Sequence, residues 1–320
     1  VFVLIELGAR VFDPLGISYY PNTARYLDTL IKEEPIGYRN QPGLNGEYYG
    51  VNVQINSFGL RDREISLERS ANEFRILIMG DSFPFGIGVE FEESFPYLVE
   101  VLANENTQHD KYYRTVNMGV PSYNTEQELI QLKTLGMSLR PNAVILFFIT
   151  NDIQSKMWVF EKRSSTAANL AQTSYAASIL YILSNRLSER FLNDGRSSGT
   201  SQYLPENPKW LAIDRSLTEM NRLCQARGIP FLVFLPQKER ILQHVQPLLD
   251  AVAKREGIPM FKISPSDDPR WSREDSRQYT NSAVDSHPNP EGNRVYATII
   301  HEHLVTHGIV HDASSRDGSR

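Results

Sequence analysis

The chain has 320 residues, with 33 lysines and arginines set against 38 aspartates and glutamates, for a formal charge of −5. Hydrophobic residues make up 41% and charged residues 22%. That is a globular composition, with enough chain for one elaborated α/β domain or two small domains, and the interspersed charges exclude a nucleic-acid-binding stripe. A single cysteine, Cys224, excludes an intramolecular disulfide and a cysteine-rich zinc site. The first twelve residues, VFVLIELGARVF, are apolar but shorter than the ~20 residues of a membrane-spanning helix. They suit two readings. One is the tail of a membrane anchor or signal segment, which places the protein outside the cytoplasm, in the periplasm or on a membrane. The other is an amphipathic helix packed on the domain, with Glu6 and Arg10 outward.

Residues 13–70 are rich in Tyr, Asn, Gly and Pro and read as irregular structure with short strands. One strand is expected where Val51, Val53 and Ile55 alternate with polar residues. From Glu73 the rhythm changes to strand, loop, helix. RILIMG is a first strand, followed by a helix around SFPYLVEVLAN. YRTVNMG is a second strand, followed by a helix TEQELIQLKTLG closed by Gly136. AVILFFI, PFLVFLP and PMFKI are continuous apolar runs, as strands buried on both faces of a parallel sheet require. Helices are expected from Trp210 to Ala226, through HVQPLLDAVAKREG, and from Pro290 through VYATIIHEHLV. This alternation predicts an α/β fold with a five-stranded, mainly parallel sheet between two helical layers. The expected boundaries are an N-terminal irregular and β extension over 1–72, a catalytic domain over 73–306 and a tail over 307–320. An insertion over 153–208 follows the third strand. It carries a helical pattern at Tyr175, Ile179, Ile182, Leu183 and Leu187, suited to a lid or to a cover on the sheet.

Parallel sheets place their sites at the carboxyl ends of the strands. After the first strand stands Gly80-Asp81-Ser82, after the second Gly119, after the third Asn151-Asp152. Just before the last helix stands Asp285-Ser286-His287. Each fragment alone is common; their joint placement at one sheet edge is the signal. A serine hydroxyl becomes a competent nucleophile only when a base takes its proton. His287 is the candidate base, because a neutral imidazole accepts a proton near pH 7, and Asp285 is the candidate orienter of its ring. The attacked carbonyl needs preset donors, which the Ser82 N–H, the Gly119 N–H and the Asn151 side-chain amide could supply. Asp81 is expected to stabilise the turn and Asn124 to cap the following helix. Phe83 and Phe85 suit either an acyl pocket or packing. His301, His303, His307 and His311 cluster near the C-terminus, but His301 and His303 fall on different helix faces and do not form a metal set.

GDSFPFGIG after a strand, the glycine of VNMGVPSYNT, the Asn of TND and the terminal DSHPN resemble the blocks of the SGNH (GDSL-like) hydrolase superfamily. The resemblance spans roughly Phe74 to Leu304. It implies a flavodoxin-like three-layer fold with Ser82 as nucleophile, Gly119 and Asn151 as oxyanion donors and His287 as base. NSFGLRD and the GVPSYNT–EQEL run also resemble a bacterial subgroup often attached to membranes or tied to cell-surface polysaccharide. Two departures stand out. Ile149-Thr150 precede Asn151 where the family usually has a glycine, and the acid nearest His287 is two residues before it rather than three, with Asp275 a distant fallback. The expected activity is hydrolysis of small O-acyl esters on a carbohydrate or similar alcohol, through an acyl-serine and without a metal or organic cofactor. The rivals are O-acyl transfer to cell-surface polysaccharide and carbohydrate binding without catalysis. The expected partner is a small-molecule or carbohydrate ester, and nucleic acid is not expected.

Overall fold

The computed structural model describes residues 2–13, 15–16, 25–105, 111–149, 170, 174–192, 204–236, 240–263 and 276–311. Helix α1 (Phe2–Phe12) opens the chain. Two antiparallel hairpins follow, β1 (Ile31–Glu33) with β2 (Gly37–Arg39) and β3 (Asn45–Tyr48) with β4 (Val51–Gln54). The second hairpin turns through Tyr49 and Gly50 at φ of 55° and 78°, the left-handed pair that suits a two-residue connection. The alternation read at Val51 and Val53 is thus a strand, and Val53 is fully buried.

The α/β unit runs β5 (Glu73–Gly80), α2 (Ser82–Phe85), α3 (Phe95–Glu105), β6 (Tyr112–Asn117), α4 (Thr125–Thr134) and β7 (Ala143–Phe147). After α5 (Tyr175–Leu192) it continues through α6 (Pro208–Gln225), β8 (Phe231–Pro236), α7 (Arg240–Glu256), β9 (Met260–Ile263) and α8 (Pro290–Thr306). The five strands lie in the order β6-β5-β7-β8-β9, and all four pairings are parallel. This is the flavodoxin-like order, and the sheet is wholly rather than mainly parallel. Successive residues of a strand point to opposite faces. Ile76 and Ile78 of β5 therefore join a core with α3 and α8, through Phe95, Val99, Tyr296 and Ile300. Leu77 and Met79 join the opposite core with α4, α6 and α7, through Leu132, Ile213, Leu217 and Val245, where Cys224 is also buried. A third cluster packs the N-terminal segment against the loops at the sheet edge, joining Tyr26, Tyr38, Tyr49 and Val53 to Phe85, Ile87, Val120 and Tyr123.

Two local expectations are corrected. Helix α4 is capped by Leu135, and Gly136 opens a 3-10 turn (Gly136–Leu139) instead of closing the helix in a left-handed conformation. A Cβ at Gly136 would come 2.8 Å from Leu132 Cδ1, so the glycine serves packing. On α1, Glu6 does not face outward. Its carboxylate accepts from the backbone N–H of Tyr175 (2.9 Å) and Ala176 (3.0 Å) and from Ser174 Oγ (2.8 Å). It thereby serves the unpaired amides at the start of α5. The apolar residues of α1 are what face out, with Leu4 73% and Phe12 82% exposed. No helix among the described residues is long and apolar enough to cross a membrane. Of the insertion, Tyr175 and Ser178 are buried, while Leu180 and Leu183 are exposed.

Candidate active site

In a sheet of this order the crevice opens where consecutive connections leave in opposite directions, at the carboxyl ends of β5 and β7. Ser82 stands there as the first residue of α2, immediately after β5. Asp81 caps α2, its Oδ1 accepting from the Phe83 N–H at 3.2 Å, which is the turn-stabilising part expected of it. Ser82 is buried at 8% exposure. Its Oγ lies 2.8 Å from His287 Nε2 and 3.3 Å from Asp81 Oδ2.

His287 comes from the loop between β9 and α8. That loop folds back on itself through an antiparallel bridge between Thr280 and Pro288 and a bond from the Asn281 N–H to His287 O at 2.9 Å. Asn289 then caps α8, accepting from the Gly292 N–H at 2.9 Å. Asp285 Oδ1 accepts the backbone N–H of His287 at 3.0 Å and lies 2.6 Å from His287 Nδ1. With Nδ1 donating to this carboxylate, Nε2 is left as an acceptor aimed at the serine hydroxyl. Asp285 itself is fixed by Ser282, whose Oγ accepts the Asp285 N–H at 3.0 Å. An acid two residues before the histidine therefore reaches its ring in this loop. The His287 side chain keeps 26% exposure, so the imidazole is open on one side while Phe83 packs its ring 5.5 Å away.

On the oxyanion side one of the expected donors already has a partner. The Gly119 N–H donates to Asn117 Oδ1 at 2.9 Å. A Cβ at Gly119 would fall 2.3 Å from Phe85 N, so the missing side chain lets this loop pack directly on the backbone of α2. The amide at Gly119 is thus engaged within its own loop, and the glycine serves backbone approach there. Asn151, Asp152 and the fallback acid Asp275 lie outside the described residues. Phe85 is fully buried against Tyr26 and Tyr49 and packs there instead of lining a pocket. Phe83 stacks on Phe147 beside Tyr296.

Three further residues touch this assembly. Arg61 is buried and donates to the carbonyls of Phe85 (3.0 Å), Val89 (2.7 Å) and Gly86, with its guanidinium over the Phe85 ring. Burial lowers its pKa to about 10. The adjacent Asp62 accepts from Arg114 (2.6 Å) and from the Asn117 N–H (2.8 Å), and Asn117 Nδ2 in turn donates to Pro84 O at 2.7 Å. Glu128, on α4, is fully buried, and neither carboxyl oxygen has a hydrogen-bond partner among the described residues. Burial, reinforced by the nearby Asp81 carboxylate, holds its carboxyl well above the usual range. In the sequence, Arg61 and Glu128 look like ordinary charged residues of polar stretches; only the apolar neighbours Leu60 and Leu129 hint otherwise.

Asn124 caps α4 in a capping box with Gln127, as expected. His303 stacks on Phe261 with centroids 4.2 Å apart, and His307 meets the same ring edge-on. Among the described residues no group of His, Cys, Asp and Glu could hold a metal ion.

A serine, an imidazole and a carboxylate joined in this order at the edge of a parallel sheet make the arrangement of a serine acyl hydrolase. The chain belongs to the GDSL-like lipase/acylhydrolase family, whose model matches residues 78–295. No protein of curated function matches it at a significant level. Similar solved structures include LAE5, an alpha/beta hydrolase from the metagenome of Lake Arreo, Spain (15% identity, 75% of this chain and 97% of that one, TM-score 0.45). Others are a lipase/acylhydrolase from Enterococcus faecalis (13%, 73% and 96%, 0.44) and the acetyl xylan esterase AlAXEase (14%, 72% and 100%, 0.43). These likenesses are too distant to add to what the family and the geometry establish.

Proposed function

We propose that this family member is a serine ester hydrolase that works through an acyl-serine on small O-acyl esters. The observation that carries the reading is the continuous chain from Ser82 Oγ to His287 Nε2 (2.8 Å) and from Nδ1 to Asp285 Oδ1 (2.6 Å). As Oγ attacks the ester carbon, its proton passes to Nε2 and the imidazolium is stabilised by Asp285. Collapse of the tetrahedral intermediate expels the alcohol, which takes that proton, and leaves the acyl group on Ser82. Water, deprotonated by the same imidazole, then releases the acid and restores the serine. The proposed oxyanion donors are the Ser82 N–H, heading α2, and the Asn151 amide. The Gly119 N–H would join them only on leaving Asn117. Small O-acyl groups on carbohydrate are the substrate class supported by the NSFGLRD and GVPSYNT–EQEL runs.

The test is release of p-nitrophenol from acetyl and octanoyl esters, and of acetate from acetylated polysaccharide. Preference for acetyl, abolished in Ser82→Ala, is the expected result; equal activity of wild type and Ser82→Ala would refute it. Transfer of the acetyl group to an added sugar faster than to water would assign the protein to O-acyl transfer.

An extracytoplasmic place at a membrane is proposed on the outward apolar residues of α1, Leu4 and Phe12 among them, in contrast to the inward Glu6. Co-sedimentation of the full chain with anionic liposomes should be lost in Leu4→Glu/Phe12→Glu, and its absence in the wild type would refute the proposal.

A further inference from the structure

The loop that follows the nucleophile helix is tied to the orienting acid by one side chain that takes no part in the proposed reaction. On the side of the N-terminal segment, Arg61 holds the carbonyls of Phe85, Gly86 and Val89. The intervening carbonyl of Ile87 accepts from Asn281 Nδ2 at 2.9 Å. The same nitrogen lies 3.3 Å from Asp285 Oδ2. An amide nitrogen carries two protons, so it can serve both acceptors at once. The backbone of Asn281 is tied as well, through its N–H to His287 O. Gly88 completes the fit. It has φ of +79°, and a Cβ there would fall 2.3 Å from Asn281 Nδ2. The amide can reach Ile87 O and Asp285 together only across a residue without a side chain.

We propose that Asn281 is a positioning residue of the triad, fixing the Asp285 carboxylate to the Ile87 carbonyl so that nucleophile loop and base loop share one frame. The proposal rests on the reading of Ser82, His287 and Asp285 as a catalytic chain. Its physical content is orientation. Oδ1 of Asp285 takes the His287 N–H and Nδ1, and a bond to Oδ2 restrains rotation of the carboxylate about its own axis. That plane sets the direction of the imidazole and therefore the approach of Nε2 to Ser82 Oγ. Small misplacements at such a point are costly, because rate depends steeply on the geometry of attack.

The experiment compares wild type, Asn281→Ala, Gly88→Ala and the double variant of the full chain, at a temperature where circular dichroism shows each folded. Two readouts are taken. One is the low-field proton resonance of the His287–Asp285 hydrogen bond, observed by NMR without substrate. The other is kcat and KM on p-nitrophenyl acetate. Asn281→Ala should broaden or shift the resonance and lower kcat by about ten- to a hundredfold, with KM within about twofold. Gly88→Ala, which displaces the amide from the other side, should do the same, and the double variant should fall little further than either single one. If one single variant does not fold, the other carries the test. A purely structural residue would lower the melting temperature yet leave the resonance and the kcat of folded enzyme at wild-type values, and that result would overturn the proposal. A wild type with no Ser82-dependent turnover would refute the hydrolase reading instead, while the resonance in Asn281→Ala would still decide whether the amide positions Asp285.

Discussion

Two segments far apart in the chain grip the same turn after Ser82, and they do it with opposite chemistry. The N-terminal segment uses a buried cation, Arg61, against backbone carbonyls. The loop before α8 uses a neutral amide, Asn281, and keeps the His287 imidazole partly open. The sealed side needs only to be rigid, so a permanently charged group with five donors is suited to it. In the proposed reaction the open side passes protons and admits substrate, and there the Asp285 carboxylate faces the imidazole. The N-terminal segment is therefore as much a part of the site's frame as the loop that carries its base. Asp62 extends the same frame to the Gly119 loop through Asn117.

The comparison can be broken most severely on the open side. His287→Ala removes the base, and ester hydrolysis should fall by about 10⁴-fold or more with the fold intact. Activity within tenfold of wild type would move the base elsewhere. On the sealed side, Arg61→Met leaves the carbonyls of Phe85, Gly86 and Val89 without that donor, in a place closed to water. The expected loss is on the order of 3 kcal/mol in stability, read as a fall in the urea midpoint. A variant as stable as wild type would mean that those carbonyls find other partners.

The smallest effect concerns Glu128, which lies behind the turn near Asp81. Its carboxyl pKa is raised in the folded protein above the ordinary 4.5, first by burial and then by Asp81. The folded state then keeps a proton that the unfolded state releases above that value. The contribution is fully present below about pH 4.5 and is lost as pH rises toward the folded pKa. Glu128→Gln copies the protonated form and lacks this dependence. Its stability relative to wild type should increase as pH rises above 4.5 in urea titrations, and a gap that stays constant with pH would show that Glu128 is ionised or solvated.

The parallel sheet was legible because strands buried on both faces must be continuous apolar runs, and RILIMG, AVILFFI and FLVFLP are such runs. The base side of the site was legible for a related reason. An aspartate, a histidine and a helix-opening proline stand within a few residues, so chemistry and fold are written in one place. The frame around it was not. Arg61 is fully enclosed, yet a buried arginine held by backbone carbonyls has no pattern that separates it from a solvated one. Asn281 takes its role from the loop's return past Gly88, a contact nearly 200 positions away in sequence. Glu6 points inward because α5 offers it free amides, which no periodicity within α1 records. The glycine at 119 was read for its amide, and the missing side chain there also lets one loop pack closely on the backbone of α2.

The central claim is that Ser82 is made nucleophilic by His287. Treating the purified protein with a fluorophosphonate and locating the adduct by peptide mass spectrometry tests it directly. The predicted result is a single adduct on Ser82, absent from Ser82→Ala and formed far more slowly in His287→Ala. An unlabelled wild type, or an adduct on another serine that survives in Ser82→Ala, would contradict it.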